Sequence, residues 1–144
     1  MRPVPLVLDS AGLTEFAAPR PSDRLRALLA EALRRGREVI TPTLVCAEVA
    51  RGRHRTRALE AAVTRYDPRR PERPPLRLID TDFAVARQVG SLLHASRSGS
   101  ERIVDAHVVA VCLPDGGLVV TSDPHDIDAL AAAAPAARIT PVTL

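Results

Sequence analysis

Four acidic residues lie where the sequence predicts packed apolar structure. The apolar strand VPLVLD ends at Asp9 and the strand GLVVTSD ends at Asp123, while Glu48 and Asp105 lie in helices predicted between them. Carboxylates are rarely buried unless they are paired or bind a cation, so these positions are more informative than the number of acids. If the four side chains converge, they form a metal site built from oxygen ligands alone.

The two helical acids are predicted to face the protein interior. Asp105 lies in IVDAHVVAVCL, whose apolar residues leave little room for a solvated face. Glu48 lies in TPTLVCAEVARG, three residues after Val45 and directly before Val49, so we expect it on their inward side. Both acids therefore need a compensating partner.

Each acid also has a purely structural interpretation. Asp9 and Asp123 could cap the helices that follow them, a contribution of about 1 kcal/mol each. Asp105 falls in the first turn of its helix and could interact with the positive end of the helix dipole. Glu48 lies in mid-helix and can cap nothing. One shared site would explain all four positions at once.

The chemistry of such a site follows from its charge. Several carboxylates within a few ångströms repel one another and stay ionised together only if a cation compensates them. Oxygen ligands favour Mg²⁺ or Mn²⁺ over zinc. Such an ion polarises a phosphoryl oxygen and lowers the pKa of a bound water, so the site is suited to phosphodiester hydrolysis without a nucleophilic side chain.

The elements that must position these acids alternate along the chain. Strands are predicted over 4–8, 38–41, 76–80, 117–121 and 138–143, and helices over 11–17, 22–35, 42–51, 54–65, 81–96, 103–113 and 125–133. Continuous apolar strands between helices indicate a parallel sheet covered on both faces, and ligands bind beyond the carboxyl ends of such strands. The proline-rich segment 67–75 is predicted to be an exposed connection.

Composition excludes several classes of protein. A length of 144 residues fits one domain over residues 1–144. All 20 basic side chains are arginine, and without lysine there can be no lysine Schiff base and no phosphate-loop lysine. A receiver-like phospho-acceptor with acids at its strand ends stays an alternative, disfavoured because that design uses a lysine beside the phosphoryl group. The net charge of +3 is compatible with a polyanionic partner.

Cys46 and Cys112 form no CxxC motif, and no stretch approaches membrane-spanning length, so we expect reduced thiols in a cytoplasmic protein with no membrane partner.

The order of four short motifs resembles a known family. The segments LVLDSAGL, TLVCAEVARG, IVDAHVVAV and GGLVVTSDPHDIDAL resemble the PIN-domain ribonucleases, and most closely the toxins of VapBC-type toxin–antitoxin pairs. The resemblance spans nearly the whole chain and implies a three-layer α/β/α fold with a mainly parallel central sheet. It also implies a Mg²⁺-dependent endoribonuclease, a hydrolase that leaves a 5′-phosphate and a 3′-hydroxyl.

The resemblance assigns roles by position. Asp9, Asp105 and Asp123 would bind the principal ion, and Glu48 would orient the attacking water or hold a second ion. A fifth acid, Asp126, matches a further acid of the family and would also bind metal. Ser10 and Thr121 match polar positions beside the acids and would hold ligands or water around the ion. Ala11 departs from the pattern, because many relatives carry Asn or Ser there.

Basic residues and histidines surround these motifs. Arg97 and Arg102 flank the Gly99 loop just before Asp105 and are placed to contact an RNA phosphate. The densest basic run comprises Arg51, Arg53, His54, Arg55 and Arg57, extended by Arg65, Arg69, Arg70 and Arg73. Its spacing by two sends Arg51 and Arg55 to one side of a helix and Arg53 and Arg57 nearly to the other, which favours solvated surface over a single RNA-binding stripe. His107 and His125 follow two of the acids but are assigned surface or packing roles.

Partners follow from the resemblance alone. It implies an RNA substrate such as tRNA or ribosomal RNA, a VapB-type antitoxin whose C-terminal segment lies in a groove between helices, and a homodimer. The alternative is a non-catalytic PIN-type module that binds RNA or protein. Such a module would be expected to have lost its acids, whereas all four are present.

Overall fold

Strands and helices alternate in the computed structural model, which describes residues 2–64 and 73–144. The strands are β1 (Leu6–Leu8), β2 (Val39–Pro42), β3 (Leu76–Ile79), β4 (Gly117–Thr121) and β5 (Ile139–Thr143). The helices are α1 (Ser10–Ala17), α2 (Asp23–Arg35), α3 (Thr43–Val49), α4 (Arg53–Thr64), α5 (Phe83–Ala95), α6 (Ile103–Ala110) and α7 (Pro124–Ala131). A 3₁₀ turn over Ser100–Arg102 leads into α6.

The five strands form one parallel sheet in the order β3-β2-β1-β4-β5. The first and fourth strands are neighbours, with Leu8 opposite Val120. Asp9 and Asp123 therefore follow adjacent strands at the same edge of the sheet, as predicted. Helices pack on both faces of the sheet, so the predicted three-layer α/β/α architecture is confirmed.

One cluster of buried apolar residues fills the space between the sheet and its helices. All residues of β1 and β2 are buried, as expected of central parallel strands. In α6 every residue from Ala106 to Ala110 is buried, including His107, so the prediction that the helix carrying Asp105 is largely buried is confirmed.

The differences from the predicted elements lie at their ends. The helix predicted over 42–51 ends at Val49, because Ala50 leaves the helical conformation with a ψ of 53°. Gly52 then takes a positive φ of 88°, just before α4 begins. The helix predicted over 103–113 ends at Ala110 and continues as turns. Most of the predicted connection 67–75, with Arg65, Arg69 and Arg70, lies outside the described residues. Within the described ranges, no helix combines the length and apolar character needed to cross a membrane.

Candidate active site

Asp9 lies at the carboxyl end of β1 and caps α1. Its Oδ1 accepts a hydrogen bond from the Gly12 amide at 2.9 Å, and its own amide donates to the Val120 carbonyl oxygen at 3.2 Å. The residue is buried, with 8% of its surface exposed. Burial raises the pKa of Asp9, while hydrogen bonds from the Thr121 side chain and from the Gly12 and Ala11 amides oppose the shift. The capping interpretation of Asp9 is thus correct.

Asp123 caps α7 at the neighbouring strand end. Its Oδ1 accepts from the Asp126 amide at 3.4 Å, and Pro124 begins the helix behind it. Unlike Asp9, Asp123 is exposed. Both strand-end acids are therefore helix caps, and this local role explains why each carboxylate is fixed at the edge of the sheet.

The Thr121 hydroxyl lies between these two acids. Thr121 is 1% exposed, and its Oγ1 accepts a hydrogen bond from the Asp123 amide at 3.0 Å. The same side chain hydrogen-bonds the carboxylate of Asp9 and lowers its pKa. One buried hydroxyl thereby links the two strand ends, at a position that the sequence marked only as polar.

Glu48 does not face the interior, so that prediction is wrong. Its side chain is exposed, because α3 buries Val45 and Val49 and Glu48 falls in the last turn, beside that face. Its Oε1 accepts a hydrogen bond from the Ser10 hydroxyl at 2.6 Å. Glu48 therefore reaches the first turn of α1 from the open side, next to Asp9.

Asp105 shows that the acids converge. It is half-buried in the first turn of α6. Burial contributes most to raising its pKa to about 6, and the carboxylates of Asp126, Asp9, Glu48 and Asp123 raise it further, in that order. The chain thus brings five carboxylates, from the ends of two strands and from α3, α6 and α7, within electrostatic reach of one point. We call these five residues the acid cluster.

Arg102 forms an ion pair with the acid cluster. Its Nη2 lies 3.1 Å from Oδ1 of Asp126, and both side chains are about one-third exposed. Asp126 thus lies between the charge of Arg102 and that of Asp105. The predicted contact of Arg102 with an RNA phosphate stays a prediction. Arg97 is exposed and has a positive φ of 55°, and no described contact joins its side chain to the cluster.

The two histidines near the acids take structural positions. His107 is buried, and its Nδ1 lies 2.7 Å from the Ile103 carbonyl oxygen one turn earlier. His125 is exposed in the first turn of α7. No described side-chain contact joins either ring to the acid cluster.

The donor set fits a hard divalent cation. As the side chains are placed, no three His, Cys, Asp or Glu residues among those described form a ready-made metal group. Two acids of the cluster are held by protein partners instead, Glu48 by Ser10 and Asp126 by Arg102. All donors are oxygens, and the repulsion that raises the pKa of Asp105 would be relieved by a cation among them.

Gly12 is a residue of the site that the sequence interpretation missed. A Cβ on Gly12 would lie 3.0 Å from the Val120 carbonyl oxygen and 3.3 Å from the Val120 Cβ. This close approach lets α1 lie against β4 and lets the Gly12 amide reach Asp9. The signal in the sequence was a glycine in the first turn of a helix. Glycine lowers helix stability relative to alanine, so its presence there indicates a close approach of another element.

The other singled-out residues lie away from the acids or at their rim. Arg51, Arg53, His54, Arg55 and Arg57 are all exposed. Arg73, predicted to extend that run, lies with its guanidinium 4.0 Å from the centre of the Phe16 ring and donates to the Phe16 carbonyl oxygen. Both cysteines are free, and burial raises the pKa of Cys112 to about 12, which keeps it a thiol.

Comparison with known proteins adds a family and a fold. The sequence matches the family model described as PIN domain over residues 6–133. Among solved structures, FitAB bound to an IR36 DNA fragment is similar with a TM-score of 0.58 and 18% identity, over 94% of this chain and 94% of that chain. FitAcB from Neisseria gonorrhoeae is similar with a TM-score of 0.56 and 18% identity, over 94% and 96%. At this identity the likeness shows the fold alone. No curated protein sequence matches the chain.

Proposed function

Because the chain belongs to the PIN-domain family, we propose that it is a metal-dependent endoribonuclease that acts as the toxin of a toxin–antitoxin pair. PIN domains are generally nucleases that use divalent metals. The observation that carries the proposal is the convergence of Asp9, Glu48, Asp105 and Asp123 at the carboxyl edge of the sheet. Structural capping accounts for two of these acids but not for their meeting with the other two.

In this proposal each side chain of the cluster has a defined task. Asp9, Asp105 and Asp123 would hold a Mg²⁺ or Mn²⁺ ion, which when bound would supply Lewis acidity for hydrolysis of the phosphodiester. Glu48, oriented by the Ser10 hydroxyl, orients the attacking water or holds a second ion. Thr121 fixes the Asp9 carboxylate, as outer-shell partners of metal ligands do.

Two further residues act at the edge of this site. Asp126 is held by Arg102, so we assign it the task of orienting the Arg102 guanidinium as well as adding negative charge beside Asp105. Arg102 contacts a phosphate of the RNA, for which a planar guanidinium is well suited. Arg97, at the same loop, is the second candidate for a phosphate contact.

The partners of the proposed toxin rest on resemblance. The motif order resembles VapC-type toxins, which implies a VapB-type antitoxin, a homodimer and a tRNA or ribosomal RNA substrate. A groove of about 870 Å³ beside α2 could accommodate an antitoxin segment. It is lined in part by Pro19, Arg26, Leu29 and Arg73. Co-expression with the product of the adjacent gene should yield a complex, and a chain that purifies alone from such cells would contradict this partner.

The experiment that tests the nuclease uses Asp9→Asn. Asparagine caps helices as well as aspartate does, so α1 keeps its cap and a loss of activity is not a loss of fold. We expect RNA cleavage with Mg²⁺ or Mn²⁺ to fall at least about 100-fold, because even outer-shell partners of a metal cost 10–100-fold. Denaturing gels and analysis of the cut ends measure this.

The matched control is Asp115→Asn, the same change at an exposed aspartate at the amino end of β4, away from the site. It should cleave as the wild type does. Full activity of Asp9→Asn, cleavage that survives EDTA, or no cleavage of any RNA by the wild type would each overturn the proposal. RNA binding without cleavage would favour the non-catalytic module.

A further inference from the structure

The arginine run after Glu48 carries charge that the described protein does not neutralise. Between Glu48 and Glu60 the sequence contains no acidic residue. Within residues 2–64 and 73–144, no ion pair or side-chain hydrogen bond involves the four exposed arginines at 51, 53, 55 and 57. Four positive charges therefore lie together on a short, solvated segment.

Among the described residues, four other arginines have acidic partners, Arg26 with Asp23 being one of them. On α2, Arg35 pairs with Glu31 at 3.0 Å, and on the sheet edge Arg77 pairs with Glu38 at 2.8 Å. Arg102 pairs with Asp126. The run after Glu48 has no such partner among the described residues. Exposed arginines such as Arg34, Arg87 and Arg97 also lack one, but the run places four arginines within seven residues, which is the arrangement expected of a surface that binds an external anion.

The run begins at the rim of the acid cluster. The Ser10 hydroxyl bonds Glu48, so the end of α3 lies against the first turn of α1, next to Asp9. Arg51 follows Glu48 by three residues, and Gly52 then turns the chain into α4. The chain thus enters α4 within a few residues of Glu48, and α4 packs against α1.

The four arginines do not share one side of α4. The helix is buried through Leu59 and Ala62. At 100° per residue, Arg55 lies about 40° from Leu59, whereas Arg53 and Arg57 lie about 120° and 160° from it. Arg55 therefore lies at the exposed end of the stripe that packs on the protein, and Arg53 and Arg57 lie on the solvent side.

We infer that Arg51 and Arg55 form a phosphate-binding edge of the candidate active site, which holds the backbone of single-stranded RNA beside the scissile bond. The inference rests on the proposed function, since it names how the same site holds its substrate. A cluster of five carboxylates repels RNA. Two guanidinium groups beside it, with no acidic partner in residues 2–64 and 73–144, offset that repulsion and fix the strand by bidentate contacts. These are positioning residues, because they contact backbone phosphates and not the reacting atoms.

The test compares two double variants that remove equal charge. Arg51→Ala with Arg55→Ala removes the two arginines of the proposed edge, and Arg53→Ala with Arg57→Ala removes two arginines on the solvent side of α4. Each is made in the Asp9→Asn background with Mg²⁺, so that RNA stays intact. Binding of a fluorescently labelled single-stranded RNA of mixed sequence is measured by anisotropy across a series of salt concentrations.

We expect the 51/55 variant to weaken binding about tenfold at 0.1 M salt and to lower the salt slope by about 1.4, the value for two lost phosphate contacts at about 0.7 each. The 53/57 variant should change the affinity less than about twofold. Equal losses in both would show a diffuse field instead of a defined edge and overturn the inference. No loss in the 51/55 variant, or loss of antitoxin binding alone, would also overturn it.

A cleavage assay in the Asp9 wild-type background separates this inference from the proposed function. With Mg²⁺, the 51/55 variant should raise KM about tenfold and leave kcat within about twofold, as expected for lost uniform binding. If the wild type cleaves RNA but the 51/55 variant has an unchanged KM, the inference fails and the nuclease stands. If the wild type binds RNA through this edge but never cleaves it, the nuclease fails and the edge stands.

Discussion

Asp9 combines a folding role with the proposed chemistry in a single carboxylate. It caps α1 through the Gly12 amide, receives the Thr121 side chain, and lies in the field that raises the pKa of Asp105. A cap alone needs no burial, and caps on protein surfaces are common. The burial of Asp9 beside four other acids is the feature that a structural role leaves unexplained.

Asp105 gives a prediction for the pH dependence of stability. Its pKa is raised from 3.8 to about 6 in the folded protein, so between these values the folded state binds more protons than the unfolded state. The free energy of unfolding should then fall as pH rises from about 4 to about 6 and level off above, since the slope follows the difference in bound protons. Urea denaturation in EDTA at several pH values measures it.

Asp105→Asn is the comparison for that measurement. The variant lacks the titrating group, so at pH 7.5 without metal it should be more stable than the wild type, and the difference should vanish toward pH 4. Added Mg²⁺ should stabilise the wild type at pH 7.5 and have little effect on the variant. A wild-type protein that is the more stable of the two in EDTA at pH 7.5 would show that the carboxylates are not crowded.

At the scale of elements, the contact between α1 and β4 sets the geometry of the site. Gly12 allows α1 to lie directly against Val120, whose carbonyl oxygen accepts the Asp9 amide. Strand β4 is paired with β1 and β5 on its two sides, so it cannot shift to make room for a side chain at position 12. The position of the first turn of α1 against β4 therefore depends on one glycine.

Gly12→Ala should move α1 and disturb the site. The new Cβ would press on the Val120 carbonyl oxygen, so we expect a loss of about 1–3 kcal/mol in the free energy of unfolding, typical of overpacking. RNA cleavage should fall more than the fraction of folded protein does, because the Asp9 carboxylate shifts. Chemical denaturation and initial rates measure the two effects.

Gly90→Ala is the control for this change. Gly90 is an exposed residue of α5, and a Cβ there would meet nothing within 4 Å. This substitution should stabilise the protein by about 0.5–1 kcal/mol and leave cleavage unchanged. Equal effects of the two alanines on stability would contradict the role given to Gly12.

The elements themselves could be predicted because their patterns are strong. The strand runs before Asp9 and Asp123 are continuous and apolar, and the structure pairs them as adjacent parallel strands. The burial of Glu48 was predicted wrongly. Its spacing from Val45 indicates the side of the helix on which it lies, but not whether the last turn of that helix is covered by other elements. Long-range contacts such as Ser10 to Glu48 and Arg102 to Asp126 connect residues distant in the chain, and no local periodicity encodes them.

In the molecule as a whole, charge is concentrated in two regions. The net charge of +3 is small, yet the chain has an acid cluster at the edge of the sheet and, starting three residues after Glu48, an arginine run with no acidic partner among the described residues. From composition alone, one could therefore infer only that the protein's charge is compatible with a polyanionic partner. The arrangement of these two regions supports a site that binds a cation and holds a phosphate backbone at its rim.

The parallel topology explains why the acids can meet. Strands β1 and β4 are far apart in the chain but adjacent in the sheet, so the residues that follow them share one edge. The helices after β2 and β3 then bring Glu48 and Asp105 to that edge. Four short segments spread along most of the sequence thus build one site.

Anomalous diffraction from crystals soaked in Mn²⁺ tests most directly whether the converging carboxylates form a metal site. We expect a peak bounded by carboxylate oxygens of Asp9, Asp105 and Asp123 at about 2 Å, as is usual for a hard divalent ion. The peak should be lost in Asp105→Asn crystals soaked in the same way. No peak at this edge of the sheet, or one that persists unchanged without Asp105, would contradict the claim that these carboxylates form a metal site.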